Sequence, residues 1–80
     1  MFLADGYDAA FVGVGRRFGE DLAVYDEEKC LGILMERDGM SLDEAREFFE
    51  FNTAGSWIGE GTPIFLRKME LDEVREFYGD

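Results

Sequence analysis

The sequence predicts an α+β domain of two layers, in which a three-stranded, mostly antiparallel sheet carries helices on one face, in the order ββααβα. Three observations lead to this prediction. Short apolar runs interrupted by glycine occupy the first 25 residues, as in a β-hairpin. Two segments bounded by capping residues follow, at 26–39 and 41–52. A short apolar run at 63–67 and a last helical segment at 70–78 complete the order.

The predicted hairpin consists of a strand over 9–17, a turn over 18–21 and a strand over 22–25. Its glycines, from Gly13 to Gly19, invite comparison with a dinucleotide-binding fingerprint. That motif needs a helix directly after the glycines, whereas here a turn and a second strand follow. We therefore interpret them as hairpin glycines that mark a bulge or face a bulky neighbour.

Capping residues define the two central helices. Asp26 predicts the N-cap of a helix over 27–37, and Gly39 suits the left-handed residue that ends it. Ser41-Leu42-Asp43-Glu44 is a capping box, in which serine and glutamate satisfy the backbone donors at a helix start. It predicts a second helix over 42–52.

The last third of the chain contains a loop, a strand and a helix. Residues 53–62 hold three glycines around Trp57 and predict the loop. The strand, over 63–67, begins with the only proline, which a strand tolerates at its first residue. The final helix runs from about residue 70 to 78 and ends at Gly79. We expect no internal repeat and no low-complexity segment.

Composition limits the class of protein. Eighty residues predict a single domain. Cys30 is the only cysteine and histidine is absent, so neither an internal disulfide nor a zinc site is expected. No run approaches the ~20 apolar residues of a membrane-spanning helix, and the first residues do not resemble a signal peptide. We expect a cytoplasmic protein without membrane association, metal or cofactor.

The net charge of −11, from 19 acidic and 8 basic residues, is unevenly distributed. Residues 20–51 carry −8 and residues 69–80 carry −4, whereas 1–19 are neutral and 52–68 carry +1. The negative charge therefore lies on the predicted helices. A field of this sign repels nucleic acid and anionic membranes and attracts basic protein surfaces.

The groups needed for covalent catalysis are missing from the sequence. A nucleophilic serine or cysteine needs a neighbouring base such as histidine, which the chain lacks. Cys30 lies among Leu31, Ile33 and Leu34, which favours a packed core thiol. No acidic residue is distinguished as one of an acid–base pair, so we expect no enzymatic activity and no catalytic residue.

The second predicted helix has an acidic side. Its opposite side carries Leu42, Ala45, Phe48 and Phe49, which predicts the face toward the core. Phe51 falls in the middle of the acidic side. It either packs under the following loop or last helix, or is an exposed aromatic anchor ringed by carboxylates. The residues predicted to bind a partner are Asp43, Glu44, Glu47, Glu50, Phe51, Trp57 and Glu60.

Three of these acids, Asp43, Glu47 and Glu50, follow one another at i, i+4 and i+7. Such neighbours are about 5–6 Å apart on a helix, a spacing comparable to that of phosphates along a nucleic-acid strand. Either the stripe is an ordinary solvated helix face or it imitates a nucleic-acid backbone. The charge of −11 exceeds the roughly 2–8 that keeps a small domain soluble, which favours the second hypothesis.

Alternation divides the predicted strands into two apolar faces. One face carries Val12, Val14, Leu22, Val24, Ile64 and Leu66. The other carries Phe11, Gly13, Gly15, Arg17, Ala23, Tyr25, Phe65 and Arg67. The two central helices can cover only one face, and we expect the aromatic face to remain for the last helix, for self-association or for a partner protein. In the second case Phe11, Tyr25 and Phe65 form a homodimer interface.

An alternative function rests on the paired arginines beside a glycine, Gly15-Arg16-Arg17. In this hypothesis the protein is a homo-oligomer that binds or sequesters a small anionic ligand such as a nucleotide. Paired arginines at the end of a strand also commonly form ion pairs with nearby acids, of which this chain has many.

One series of segments runs through most of the chain: AVYD at 23–26, EKC at 28–30, ILMERDGMS at 33–41 and EFFEFN at 47–52, followed by Gly55, Trp57, Gly59-Glu60 and Thr62-Pro63. In these segments the chain resembles a family of small acidic proteins from bacteriophage and environmental bacterial genomes. The likeness covers roughly residues 5–66. It implies no activity or cofactor, but it implies a phage accessory protein, a class that frequently blocks a host enzyme or defence system. Residues and resemblance together predict a non-enzymatic inhibitor that binds a basic host protein through its acidic helices.

Overall fold

The computed structural model describes residues 1–55 and 59–79. A 3-10 turn at Asp8–Ala10 leads into strands β1 (Phe11–Arg17) and β2 (Glu20–Asp26), followed by helices α1 (Glu27–Asp38) and α2 (Leu42–Phe49). A π-helical turn at Glu50–Ala54, strand β3 (Ile64–Leu66) and helix α3 (Leu71–Tyr78) complete the chain. This order confirms the predicted α+β class and the order ββααβα.

The sheet is mixed, with the strand order β1-β2-β3. β1 and β2 form the predicted antiparallel hairpin. β3 joins the other edge of β2 in parallel over three pairs, from Val24 with Ile64 to Asp26 with Leu66. Parallel neighbours need a long crossover connection, and the two central helices lie within the segment that provides it.

The hairpin turn consists of Phe18 and Gly19, which both have positive φ, +51° and +79°. Two such residues in succession match the type I′ turn that suits the twist of a two-residue hairpin. Glycine adopts this conformation freely, whereas phenylalanine does so at a cost. Phe18 is also the most exposed large apolar side chain in the described part of the chain, at 96%.

A bulge in β1 changes which face each residue occupies. The register with β2 shifts between Phe11 and Gly13, so that Val14 lies opposite Ala23 and Gly15 lies opposite Leu22. A Cβ atom on Gly15 would lie 3.0 Å from Cγ2 of Val24. The predicted grouping, which put Val14 with Val24 and both Gly13 and Gly15 with Tyr25, is therefore wrong, because one extra residue reverses the alternation beyond it.

The core lies between the helices and the aromatic face of the sheet. It combines Tyr7 and Ala10 from the N-terminal segment, Ala23 and Tyr25 from β2, Cys30 and Leu34 from α1, and Ala45 and Phe49 from α2. Phe65 of β3 packs against it, with ring centroids 5.0 Å from Phe49 and 5.9 Å from Tyr25. The helices thus cover the face that was expected to remain for self-association.

The predicted self-association residues consequently have other roles. Tyr25 is 1% exposed and its hydroxyl accepts a hydrogen bond from the backbone N–H of Ala4, at 2.8 Å. Phe65 is partly buried against the same core, and Phe11 remains half-exposed with its ring 5.5 Å from that of Tyr25. These three side chains therefore do not form one exposed interface.

The predicted helix caps are present. The Asp26 carboxylate accepts a hydrogen bond from the Lys29 backbone N–H at 3.2 Å, and Gly39 ends α1 with φ +67°. Ser41 and Glu44 form both hydrogen bonds of the capping box. The helix predicted to reach Asn52 instead changes to a π-helical turn after Phe49.

Candidate partner-binding site

The predicted anchor, Phe51, lies on the surface. Its side chain is 78% exposed, so it does not pack under the following loop or the last helix. It lines a shallow depression of about 380 Å³ on one side of α2. We call this depression the Phe51 surface, and its residues are Met40, Glu44, Glu47, Phe48, Phe51 and Asn52.

Local structure positions this surface from both ends of α2. At the start, the capping box fixes Glu44 one turn into the helix. At the end, the backbone N–H of Gly55 donates to the carbonyl of Glu50, five residues back, at 3.0 Å. The Asn52 side chain donates to the carbonyl of Phe48 at 3.1 Å. Single π-helical turns are rare and occur frequently at functional sites, and this one carries Phe51.

The electrostatics of the Phe51 surface are negative. The Glu44 carboxylate accepts a hydrogen bond from the backbone N–H of Ser41 at 2.9 Å, which together with the Ser41 side chain lowers the pKa of Glu44. Glu47 is exposed one turn from Phe51. None of the six lining residues is basic. The surface therefore combines an exposed ring with carboxylates that no basic side chain of the surface neutralises.

The structure brings together only part of the predicted partner-binding set. Glu44, Glu47 and Phe51 line the same surface. Glu50 lines a groove on the other side of α2, and Glu60 lines a third depression together with Arg17. Asp43 is exposed but lines none of these depressions. Trp57 lies outside the described residues.

Three residues of the Phe51 surface, Met40, Phe48 and Asn52, were not among the predicted partner-binding residues. Phe48 was expected on the core face, yet it is half-exposed beside Phe51. Met40, from the link between α1 and α2, was assigned no role. Only Ala45 and Phe49 of this helix are buried. The predicted apolar stripe was therefore wider than the buried face, and Phe48 lies at its exposed edge.

A second missed signal is an internal repeat, contrary to our expectation. Residues 40–49, MSLDEAREFF, and residues 69–78, MELDEVREFY, are identical at seven of ten positions. Both segments form a helix with a capping box. Glu47 and Phe48 of α2 therefore have equivalents in Glu76 and Phe77 of α3. A comparison of the sequence with itself at an offset of 29 residues would have found it.

The residues of the alternative anionic-ligand hypothesis are consecutive in β1 but do not face a common site. Arg16 forms an ion pair with Asp21 across the hairpin, at 3.8 Å. Arg17 lines the depression that also contains Glu60, whose charge opposes an anion. Gly15 faces Val24 rather than open space. No specific observation therefore favours a ligand held by all three.

The thiol of Cys30 lies in the core of the protein. Cys30 is fully buried, and burial, followed by the charges of Asp26 and Glu27, raises its pKa to about 11. Over residues 1–55 and 59–79, no three side chains of the metal-binding types are grouped to hold an ion. Within the same ranges, no helix has the length and apolar character needed to cross a membrane.

No protein-family model, curated protein or solved structure matches this chain. The resemblance to phage and environmental bacterial proteins therefore stays a prediction. The geometry of the Phe51 surface is the observation on which a function can be argued.

Proposed function

We propose that this chain is a non-enzymatic binding protein whose Phe51 surface engages a basic surface of another protein. The observation that carries the proposal is the 78% exposure of Phe51 between Glu44 and Glu47. Binding hot spots are typically aromatic side chains surrounded by contacts that exclude water. Complementary charge around such an anchor steers the partner and fixes its orientation.

The finer form of the proposal is an inhibitor that imitates nucleic acid. Asp43 and Glu47 lie one turn apart and are both exposed, at a spacing comparable to neighbouring phosphates. A partner that binds nucleic acid would present arginines and lysines to them. A phage accessory protein that blocks such a host protein is the setting that the sequence resemblance favours.

A pull-down with matched variants tests the proposal. Immobilised wild type, Phe51→Ala and Glu47→Lys are exposed to a bacterial lysate, and captured proteins are identified by mass spectrometry. Glu76→Lys on α3 is the control, because it makes the same charge change at the equivalent position of the repeat, away from Phe51. Circular dichroism confirms that each variant is folded, as expected for changes at exposed positions.

We expect a basic protein that wild type and Glu76→Lys both capture and that the two α2 variants lose, with capture weakening as salt increases. Capture that Glu47→Lys and Glu76→Lys weaken equally, or that Phe51→Ala leaves intact, would overturn the proposal. In that case the acidic helices act only as a nonspecific charged surface.

A further inference from the structure

Helix α3 repeats the sequence of α2 but lacks its packing. In α2 the inward residues Ala45 and Phe49 are buried in the core. Their equivalents in α3 are Val74, which is partly exposed, and Tyr78, which is 63% exposed. Leu71 and Phe77 are exposed as well, and α3 has no buried residue. A helix with a core-facing pattern is thus left without a core in the single chain.

The structure also contains an open groove that α2 borders. We call it the α1–α2 groove, and it has a volume of about 640 Å³. Leu31, Gly32 and Met35 of α1 form one wall, and Leu42 and Phe49 of α2 contribute to the other. A Cβ atom on Gly32 would have no neighbour within 4 Å. The missing side chain therefore leaves room for another helix to approach α1 closely.

The charge of the α1–α2 groove does not oppose the approach of an acidic helix. Three of the chain's eight basic residues, Arg46, Arg67 and Lys68, line the α1–α2 groove and balance its three glutamates. The groove is therefore neutral on a molecule of charge −11. α3 carries Asp72, Glu73 and Glu76 against Arg75, so it meets less repulsion there than on the acidic surface of α2.

No residue of the chain's own α3 lines its own groove. Glu70, which precedes α3, is extended, with φ −74° and ψ 153°, and its backbone N–H donates to the Glu73 carboxylate at 3.1 Å. Arg67, which follows β3, donates a hydrogen bond to the Tyr78 hydroxyl at the end of α3, at 3.4 Å. Moving α3 into its own groove would break this hydrogen bond, whereas a second copy can approach without changing it.

We infer that α3 of one copy docks in the α1–α2 groove of a second copy, and the reverse, so that the chain forms a two-fold symmetric dimer. Such an isologous interface uses the same two elements twice. It buries the exposed stripe of Leu71, Val74 and Tyr78 in both copies. The Phe51 surface lies on the other side of α2 and stays free in the dimer.

Light scattering and sedimentation over micromolar to millimolar concentration test the inference. We expect a mass that rises from 9.1 kDa toward twice that value. Val74→Glu places a charge on the apolar stripe of α3 that docks, and Gly32→Leu places a side chain in the groove that receives it. Gly32→Leu also replaces a helix-interior glycine with a better helix former in open space, so we expect its monomer to stay folded, which circular dichroism checks.

We expect each variant to weaken dimerisation by about ten-fold or more, which corresponds to about 1.4 kcal/mol. Phe51→Ala, the variant that tests partner binding, should leave the dimer intact, so the two proposals succeed or fail separately. A mass of 9.1 kDa at every concentration would overturn the inference. So would a dimer that tolerates both Val74→Glu and Gly32→Leu, since its interface would lie elsewhere.

Discussion

At the scale of single residues, Phe18 has a left-handed backbone conformation that is unfavourable for phenylalanine. It occupies the first position of a type I′ turn with φ +51°, and it is 96% exposed. A left-handed conformation costs an L-residue about 1–2 kcal/mol, less for asparagine. Because the ring has little packing to lose, the cost is not offset within the single chain.

We therefore predict that Phe18→Asn stabilises the protein by about 1 kcal/mol, since Asn-Gly is the preferred type I′ pair. Urea denaturation measures the change in the free energy of unfolding. Phe51→Asn is the matched control, because it replaces another exposed phenylalanine in a helical rather than a left-handed conformation and should not stabilise. A loss of stability in Phe18→Asn would show that the ring packs against the fold.

At the scale of elements, α2 and α3 show that nearly the same sequence can be buried or exposed. Both helices carry a capping box, Ser41 with Glu44 and Glu70 with Glu73. In α2 the box holds a helix that contributes Phe49 to the core. In α3 it holds a helix with no buried residue. The same local device should therefore contribute differently to global stability.

We predict that Ser41→Ala lowers the free energy of unfolding by about 1 kcal/mol, the usual effect of losing an N-cap. Glu70→Ala should change it much less, because α3 can fray without opening the core. The measurement is urea denaturation at a concentration where the chain is monomeric. Equal losses would indicate that α3 packs on the body of the protein.

The α2 capping box should also depend on pH. Hydrogen bonds from Ser41 lower the pKa of Glu44. A lowered pKa in the folded state means that the ionised carboxylate stabilises the fold at neutral pH, and that this contribution is lost as the pH falls through the lowered value. The difference in stability between wild type and Glu44→Ala, measured by urea denaturation at several pH values, should therefore shrink on acidification.

At the scale of the whole molecule, the charge of −11 on 80 residues opposes the compact state. The ion pairs in the described part of the chain compensate little for this charge, since they are mostly exposed, as for Arg16 with Asp21. Exposed pairs contribute little to stability. Self-repulsion among the acids therefore outweighs them.

We predict that salt stabilises this protein. Between about 0.01 M and about 1 M sodium chloride the Debye length falls from about 30 Å to about 3 Å, so repulsion between distant acids is screened. Thermal unfolding at constant pH should show a melting temperature that rises over this range. A falling melting temperature would mean that attractive ion pairs dominate instead.

The local features of this protein follow from its sequence alone. The caps at Asp26, Gly39 and Ser41 and the core position of Cys30 are present as predicted. Each cap depends on residues within about four positions of one another, so spacing along the chain is sufficient. The α+β class and element order follow for the same reason.

Tertiary structure alone decided which surfaces are covered. The alternation of residues in the strands identified two apolar faces of the sheet but not which face the helices cover. The bulge before Gly13 also reversed the alternation in the rest of β1. The parallel pairing of β3, the exposure of Phe51 and the contrast between α2 and α3 depend on contacts between distant segments. Periodicity shows which side of an element is apolar, whereas the space available against the other elements decides whether that side is buried.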